Sequence, residues 1–396
     1  MKKYVFSMMM MVLGSALFTS CLKDDDSDSN KDQEVAVTTG AYVVNNGSFN
    51  QNNGSLTYFD YQTLKAQQLL SGGSGLGDTP NDAYTKGDTI FIVGSSENTI
   101  FVVDKKDFSI ISRVSTTAEM GEAEGVNPRH IIGSGDNLYF TTYGGYVGVL
   151  NTRSLKVTQK FQVGSVPEGL ALSNSGTDKF LYVANSDYGN GNASISKINL
   201  ATAEVEEIKN EHIQNPQEIL AIGEELFVLD WGHYETIDEK LVQLDAGLYR
   251  IYNGTAVKVI PDATGMGVGL VYYNNYPVGY LIVTFNYPYG SSKPTYTKFN
   301  TFTGSVESLT LSGDTGIEIF SPAALAVDPI TGNIFIASRA KDPDSPADAP
   351  YASFSLPGYV NIYTNGGAYI KDSHFETGIE PHMIGFTLGL QTITYK

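Results

Sequence analysis

The chain has one cysteine, Cys21, and one tryptophan, Trp231, among its 396 residues. A single thiol excludes an internal disulfide and any multi-cysteine metal centre, so packing must hold the fold together. Cations are scarce as well: 25 Lys and Arg stand against 43 Asp and Glu, for a net charge of −18. Phosphate contacts need clustered Lys and Arg, which argues against nucleic acid as a partner. The five histidines (His130, His212, His233, His374, His382) are scattered, with no HExxH or His-x-His pair. There is no G-x-S-x-G, Walker A or dinucleotide fingerprint in a strand–turn–helix setting. "DPDSPAD" from Asp342 is acidic, but it lacks the glycine and terminal glutamate of an EF-hand loop and reads as solvated. These absences predict a chain that is not an enzyme and binds no metal or cofactor. Glu168 and Glu218 remain as one conceivable general acid/base pair, with hydrogen bonding to neighbouring loops as their other role.

What is present is glycine (41), tyrosine (25) and a 41% hydrophobic share, enough for a core and suited to strands and turns. The first twenty residues, "MKKYVFSMMMMVLGSALFTS", combine two lysines, an apolar stretch and small residues before Cys21. This is the pattern of a secretory signal peptide. "FTSC" resembles a bacterial lipobox, which implies lipidation of Cys21; the alternative is an ordinary signal with an incidental cysteine. Residues 21–39 open on "CLKDDDSDSNKDQ" and read as a flexible acidic tether. Its Lys-Asp-Asp-Asp run resembles the export signal of Bacteroidetes surface lipoproteins, with a merely solvated linker as the other reading.

A frame then repeats over residues 40–396. Pro80, Pro128, Pro167, Pro216, Pro322 and Pro381 each open a short apolar strand. A Gly/Asn/Asp turn follows ("KGDT", "GSGDN", "NSGTD"), then a second strand ("IFIVG", "LYFTTY", "FLYVAN"). The double gap between Pro216 and Pro322 is filled by "MGVGLVYYNN" at Met266, which gives seven starts. A variable loop, a third strand and a weaker fourth complete each unit. This spacing predicts an all-β, seven-bladed β-propeller. The N-terminal part has later strands without a proline-led first one, and "EPHMIGFTL" has the first strand alone. Pairing of the two ends in one blade would close the ring and seal its edges. The final "LQTITYK" has no assigned place in this frame.

Up-and-down blades put the connection into each first strand on the same face as the second-to-third-strand loops. Residues just after the proline then lie near the channel mouth: Asn81, Arg129, Glu168, Gln217 and His382, with Ala323 as the apolar exception. The loops on that face are rich in aromatics and amides, with Phe49, Tyr143, Tyr146, Tyr188, Trp231, His233, Tyr234, Tyr287, Tyr289 and Arg339 among them. Any one tyrosine could be packing between blades, but the whole set has the composition of a binding surface. The candidate ligand-binding residues are therefore Asn81, Arg129, Tyr143, Glu168, Tyr188, Gln217, Trp231, His233, Tyr287, Arg339 and His382.

The lipobox, the acidic tether and "YVVNNGSFNQNNGSLTYFDYQT" from Tyr42 resemble the YncE-like propeller lipoproteins of Bacteroidetes, and within them the BtuG-type proteins most. The resemblance spans essentially the mature chain, and its motifs specify the scaffold better than the ligand. It implies a lipid-anchored outer-membrane protein facing the cell exterior. Such a protein captures cobalamin or a related corrinoid and passes it to a BtuB-type TonB-dependent transporter. A corrinoid is a broad plate with amide arms, which a funnel of aromatics and amides suits. His233 or His382 would ligate the cobalt or, alternatively, hydrogen-bond. The competing readings are a siderophore binder using Arg129, Arg339 and Lys341, a glycan binder, a protein-interaction platform, and a propeller hydrolase or lyase.

Overall fold

The computed structural model describes residues 32–72, 75–175, 178–273, 276–287, 293–313, 318–348 and 350–394. The stretch expected to be a signal peptide and Cys21 lie outside them. The second strands read as nearly continuous apolar runs because both their faces are covered. In Thr89–Gly94, Ile90 and Ile92 pack toward the preceding blade while Phe91 and Val93 pack toward the following one. The same alternation sends Ala41 and Val43 to one neighbour, and Tyr42 and Val44 to the other. One apolar cluster fills each of the seven blade-to-blade interfaces.

Seven four-stranded antiparallel sheets result, and they form the seven-bladed propeller. Blade 1 spans residues 80–115, blade 2 128–162, blade 3 167–208, blade 4 216–261, blade 5 265–308 and blade 6 321–379. Blade 7 takes its innermost strand, Pro381–Thr394, from the C-terminus and its other three, Asp32–Asn45, Ser55–Asp60 and Lys65–Leu69, from the N-terminus. The two ends pair from Asn45↔Pro381 to Asp32↔Thr394.

Two expectations change here. Residues 32–39, read as tether, are strand, because 32–38 pair with residues 388–394; the same pairing gives the C-terminal residues through Thr394 their place. Polar, mixed sequence masked this partnership, which depends on the far end of the chain. Blade 4 also carries an extra hairpin, His233–Ile237 with Lys240–Leu244, where a loop was expected between its second and third strands.

The proline-led starts share one backbone device. The carbonyl just before the proline accepts a hydrogen bond from the residue beyond the second strand. Examples are Ser95 N to Thr79 O (3.1 Å), Tyr143 N to Asn127 O (3.1 Å) and Ser186 N to Val166 O (3.0 Å). Trp231 N to Asn215 O (3.0 Å) and Asn46 N to Glu380 O (2.9 Å) repeat it. Connections and variable loops therefore do share a face. The short turns are tied together on the other face, as in Lys105 N to Asp88 O and Thr152 N to Asp136 O. Immediately after each of the six prolines the register slips. A bulge of this kind re-aims side chains at a strand's end. It sets the chemistry of the mouth.

Candidate functional site at the channel mouth

In blade 2 the register passes from Pro128↔Thr142 to Ile131↔Phe140, so Arg129 and His130 together oppose Thr141. Both side chains meet neighbouring blades. Arg129 donates from Nε to Glu168 Oε2 (3.1 Å) on blade 3 and from Nη1 to Asn81 Oδ1 (2.7 Å) on blade 1. Asn81 returns a bond from Nδ2 to the Arg129 carbonyl (2.8 Å). The guanidinium lies 4.9 Å from the centroid of the Tyr143 ring, whose hydroxyl donates to Glu168 Oε1 (2.6 Å). Tyr188 meets Tyr143 edge to face at 5.4 Å. His130 bridges two carboxylates, Nδ1 to Asp82 Oδ2 at 3.3 Å and Nε2 to Glu168 Oε2 at 3.5 Å. Thr141 Oγ1 accepts from His130 N and donates to the Glu168 carbonyl.

Glu168 is only 2% exposed. Burial alone would favour its neutral form, but the Arg129 charge, the His130 contact and the Tyr143 hydroxyl draw it down to about 2. Burial also opposes a charge on His130, yet Asp82 and Glu168 raise its pKa to about 9. Glu218, on the inner strand of blade 4, goes the other way. Burial lifts it to about 7, with the His130 charge opposing and Asp82 adding to the rise. His382 is pushed down to about 3 by burial and by Arg129, His130 and Arg339, so it is neutral at pH 7. The inner strands of blades 3 and 4 approach closely here, which a glycine at position 169 permits. A Cβ there would lie 2.7 Å from the Gln217 carbonyl oxygen.

A second ion pair stands across the ring. Arg339 is bidentate to Glu380, which precedes Pro381, and its guanidinium lies 5.4 Å from the Phe354 ring centroid. Of the residues expected at the site, Asn81, Arg129, Tyr143, Glu168 and Tyr188 form one contact network, and His382 is coupled to it electrostatically. Gln217 occupies the same post-proline position in blade 4, but bonds locally to Asn215 Oδ1 (2.7 Å). Trp231 Nε1 donates to the Thr264 carbonyl (3.0 Å), joining blade 4 to the start of blade 5. His233 begins the extra hairpin, paired with Gln214 and Glu235. Tyr287 packs on the cluster between blades 5 and 6. Tyr289 lies outside the described residues.

Sequence reasoning passed over His130, Asp82 and Glu380. For His130 and Asp82 it counted one residue after the proline where the bulge brings two into play, whereas Glu380 stands before its proline. The signal was there: "PND", "PRH" and "PQE" place an ionisable residue second after the proline in otherwise apolar strands. His130 supplies a test. Its stabilising charge is complete below its ordinary pKa of 6.5 and is lost as pH rises through about 9. Wild-type protein should therefore lose on the order of 2–3 kcal/mol from this group across that window. In denaturant titrations at pH 6.5 and 9.5, His130→Gln should show a clearly flatter dependence; an equal decline would remove the imidazolium from the account.

No known family model matches the chain, and no curated protein matches it in sequence. Solved structures do resemble it. A candidate 6-phosphogluconolactonase from Bacteroides uniformis aligns with a TM-score of 0.54 at 14% identity, covering 88% of this chain and 99% of its own. A candidate 6-phosphogluconolactonase from Bacteroides fragilis aligns with a TM-score of 0.54 at 13% identity, covering 92% and 100%. Hydrazine synthase from Kuenenia stuttgartiensis gives a TM-score of 0.50 at 18% identity, covering 72% and 76%. These are propeller folds, and at such identities the likeness is one of fold.

Proposed function

We propose that this propeller captures a neutral, amide-bearing ligand, a corrinoid such as cobalamin, on its loop-built face. The captured ligand is then passed to a TonB-dependent transporter in the outer membrane, to which Cys21 would anchor the chain. One observation carries the choice of ligand class: both arginines available to grip an anion at the mouth are already matched, Arg129 by Glu168 and Arg339 by Glu380. Apart from the single exposed Lys341, what remains for a ligand is aromatic and amide surface, with Tyr188 60% and Trp231 37% exposed. That is a poor fit for an anionic siderophore and a good one for a broad plate with neutral arms. The transporter and the lipid anchor rest on the sequence resemblance.

Calorimetry with cyanocobalamin and a ferric catecholate tests the reading. Cyanocobalamin should bind and the catecholate should not. Trp231→Ala should weaken cobalamin binding by about 2 kcal/mol, roughly thirtyfold, as loss of an aromatic anchor does. Lys106→Ala and Arg153→Ala, in turns on the opposite face, should leave it unchanged. Binding of the siderophore in place of cobalamin would overturn the ligand class.

A second reading has one observation in its favour. Glu168 and Glu218 both couple to His130, and their environments drive their pKa values apart, to about 2 and about 7. Such separation suits an ionised and a protonated carboxyl acting together. Hydrolysis of a lactone or ester panel that disappears in Glu218→Gln would establish that reading, and no turnover by wild type would dismiss it.

A further inference from the structure

Beside the Arg339–Glu380 pair and apart from the Arg129 network, the loop-built face holds a cleft of about 510 Å³ between blades 6 and 7. It is lined by Ser48, Phe49, Gln51 and Asn53 from one loop, Phe354 and Ser355 from the other, and Ile379. The size is that of a small-molecule site. Two phenyl rings stand largely in solvent, Phe49 at 73% and Phe354 at 62% exposure. The Arg339 guanidinium, itself held by Glu380, lies over the Phe354 ring.

The cleft is preformed. Ser48 Oγ donates to the Phe354 carbonyl (2.8 Å) and fastens the two loops together. Ser48 N donates to Asn53 Oδ1 (2.7 Å) within the 46–54 loop, and Asn50 N to Asp78 Oδ2 (3.0 Å) ties that loop to the segment before blade 1. Asn50 and Asn52 sit at φ 59° and 52°, a conformation asparagine tolerates better than most residues. Among the described residues, no ionisable side chain lines the cleft. The lining pairs flat apolar surface with neutral donors and acceptors, and both rings would otherwise be idle hydrophobic exposure.

We infer that this cleft is a second binding site, for a neutral saccharide. A pyranose offers an apolar C–H face to stack on a phenyl ring and a rim of hydroxyls for Gln51, Asn53, Ser48 and Ser355. A charged peptide or an anionic sugar would find no counter-charge there. The site stands apart from the Arg129 network and does not depend on what binds at the channel mouth.

Saturation-transfer NMR and calorimetry on the mature chain test it, with maltotriose, cellotriose, mannotriose and N-acetylglucosamine dimer as neutral probes and trigalacturonate as the anionic one. At least one neutral probe should bind saturably in the millimolar range, and trigalacturonate should not. Phe49→Ala and Phe354→Ala should each weaken that binding by roughly tenfold, as loss of an aromatic contact does. Both side chains are exposed, so the melting temperature should hold, and Phe354→Ala should leave cyanocobalamin affinity unchanged. Absence of saturable binding by every neutral probe overturns the inference, as does binding that survives both substitutions. If cobalamin affinity falls with the saccharide signal, the cleft is part of the mouth site and the claim of a second site fails.

Discussion

Replacing Glu168 with glutamine is expected to lower the free energy of unfolding by about 3–5 kcal/mol, the usual cost of stranding a buried charge. The carboxylate accepts from Arg129 and Tyr143 and pairs with His130, and it is 2% exposed. Glutamine keeps the shape but removes the counter-charge from two cations drawn from the neighbouring blade. Urea unfolding should show a lower midpoint with an unchanged slope. Gln217→Ala, at the equivalent position in blade 4, loses only a local bond to Asn215 and should cost about 1 kcal/mol. A loss below that level in Glu168→Gln would mean that water already screens the network.

The other large effect concerns closure. Deleting residues 381–396 removes the innermost strand of blade 7, leaving Asp32–Asn45 with an open edge and uncovering the apolar clusters on either side. That deletion should yield insoluble protein or abolish the cooperative thermal transition. Deleting only residues 388–396 spares the part of the strand that packs in the ring and removes the ribbon formed with residues 32–38. This shorter deletion should stay soluble with a lowered melting temperature. A native-like transition in the longer deletion would contradict ring closure by the two termini.

The propeller was legible in the sequence because its grammar is local. Each first strand begins at a proline or at "MGVGLVYY", and each second strand is an apolar run covered on both faces. The ribbon of residues 32–39 was not, since nothing in "DQEVAVTT" repeats the frame and its partner lies at the other end of the chain. The hairpin His233–Leu244 escaped for a similar reason: it is an insertion into one blade only.

The site was legible in part. Counting from the proline identified Asn81, Arg129 and Glu168, and loop composition added Tyr143 and Tyr188; these five are in contact. Trp231, His233 and Tyr287 share the face without joining the network, because composition selects a face and cannot select contacts. His130 and Asp82 were brought to the mouth by the post-proline bulge, and only the ionisable residue second after the proline in "PRH" and "PND" hinted at them. The pairing of Arg339 with Glu380 depended on how blade 6 meets the connection into blade 7, a relation between distant segments.

The central claim is that the loop-built face, and not the face of short turns, receives a neutral ligand. Hydrogen exchange followed by mass spectrometry, with and without saturating cyanocobalamin, tests it most directly. Protection is predicted in residues 94–98, 143–146, 185–193 and 230–246, with none in the turns at 86–89, 104–109 and 151–155. Protection confined to those turns, or no change anywhere at saturation, would contradict it.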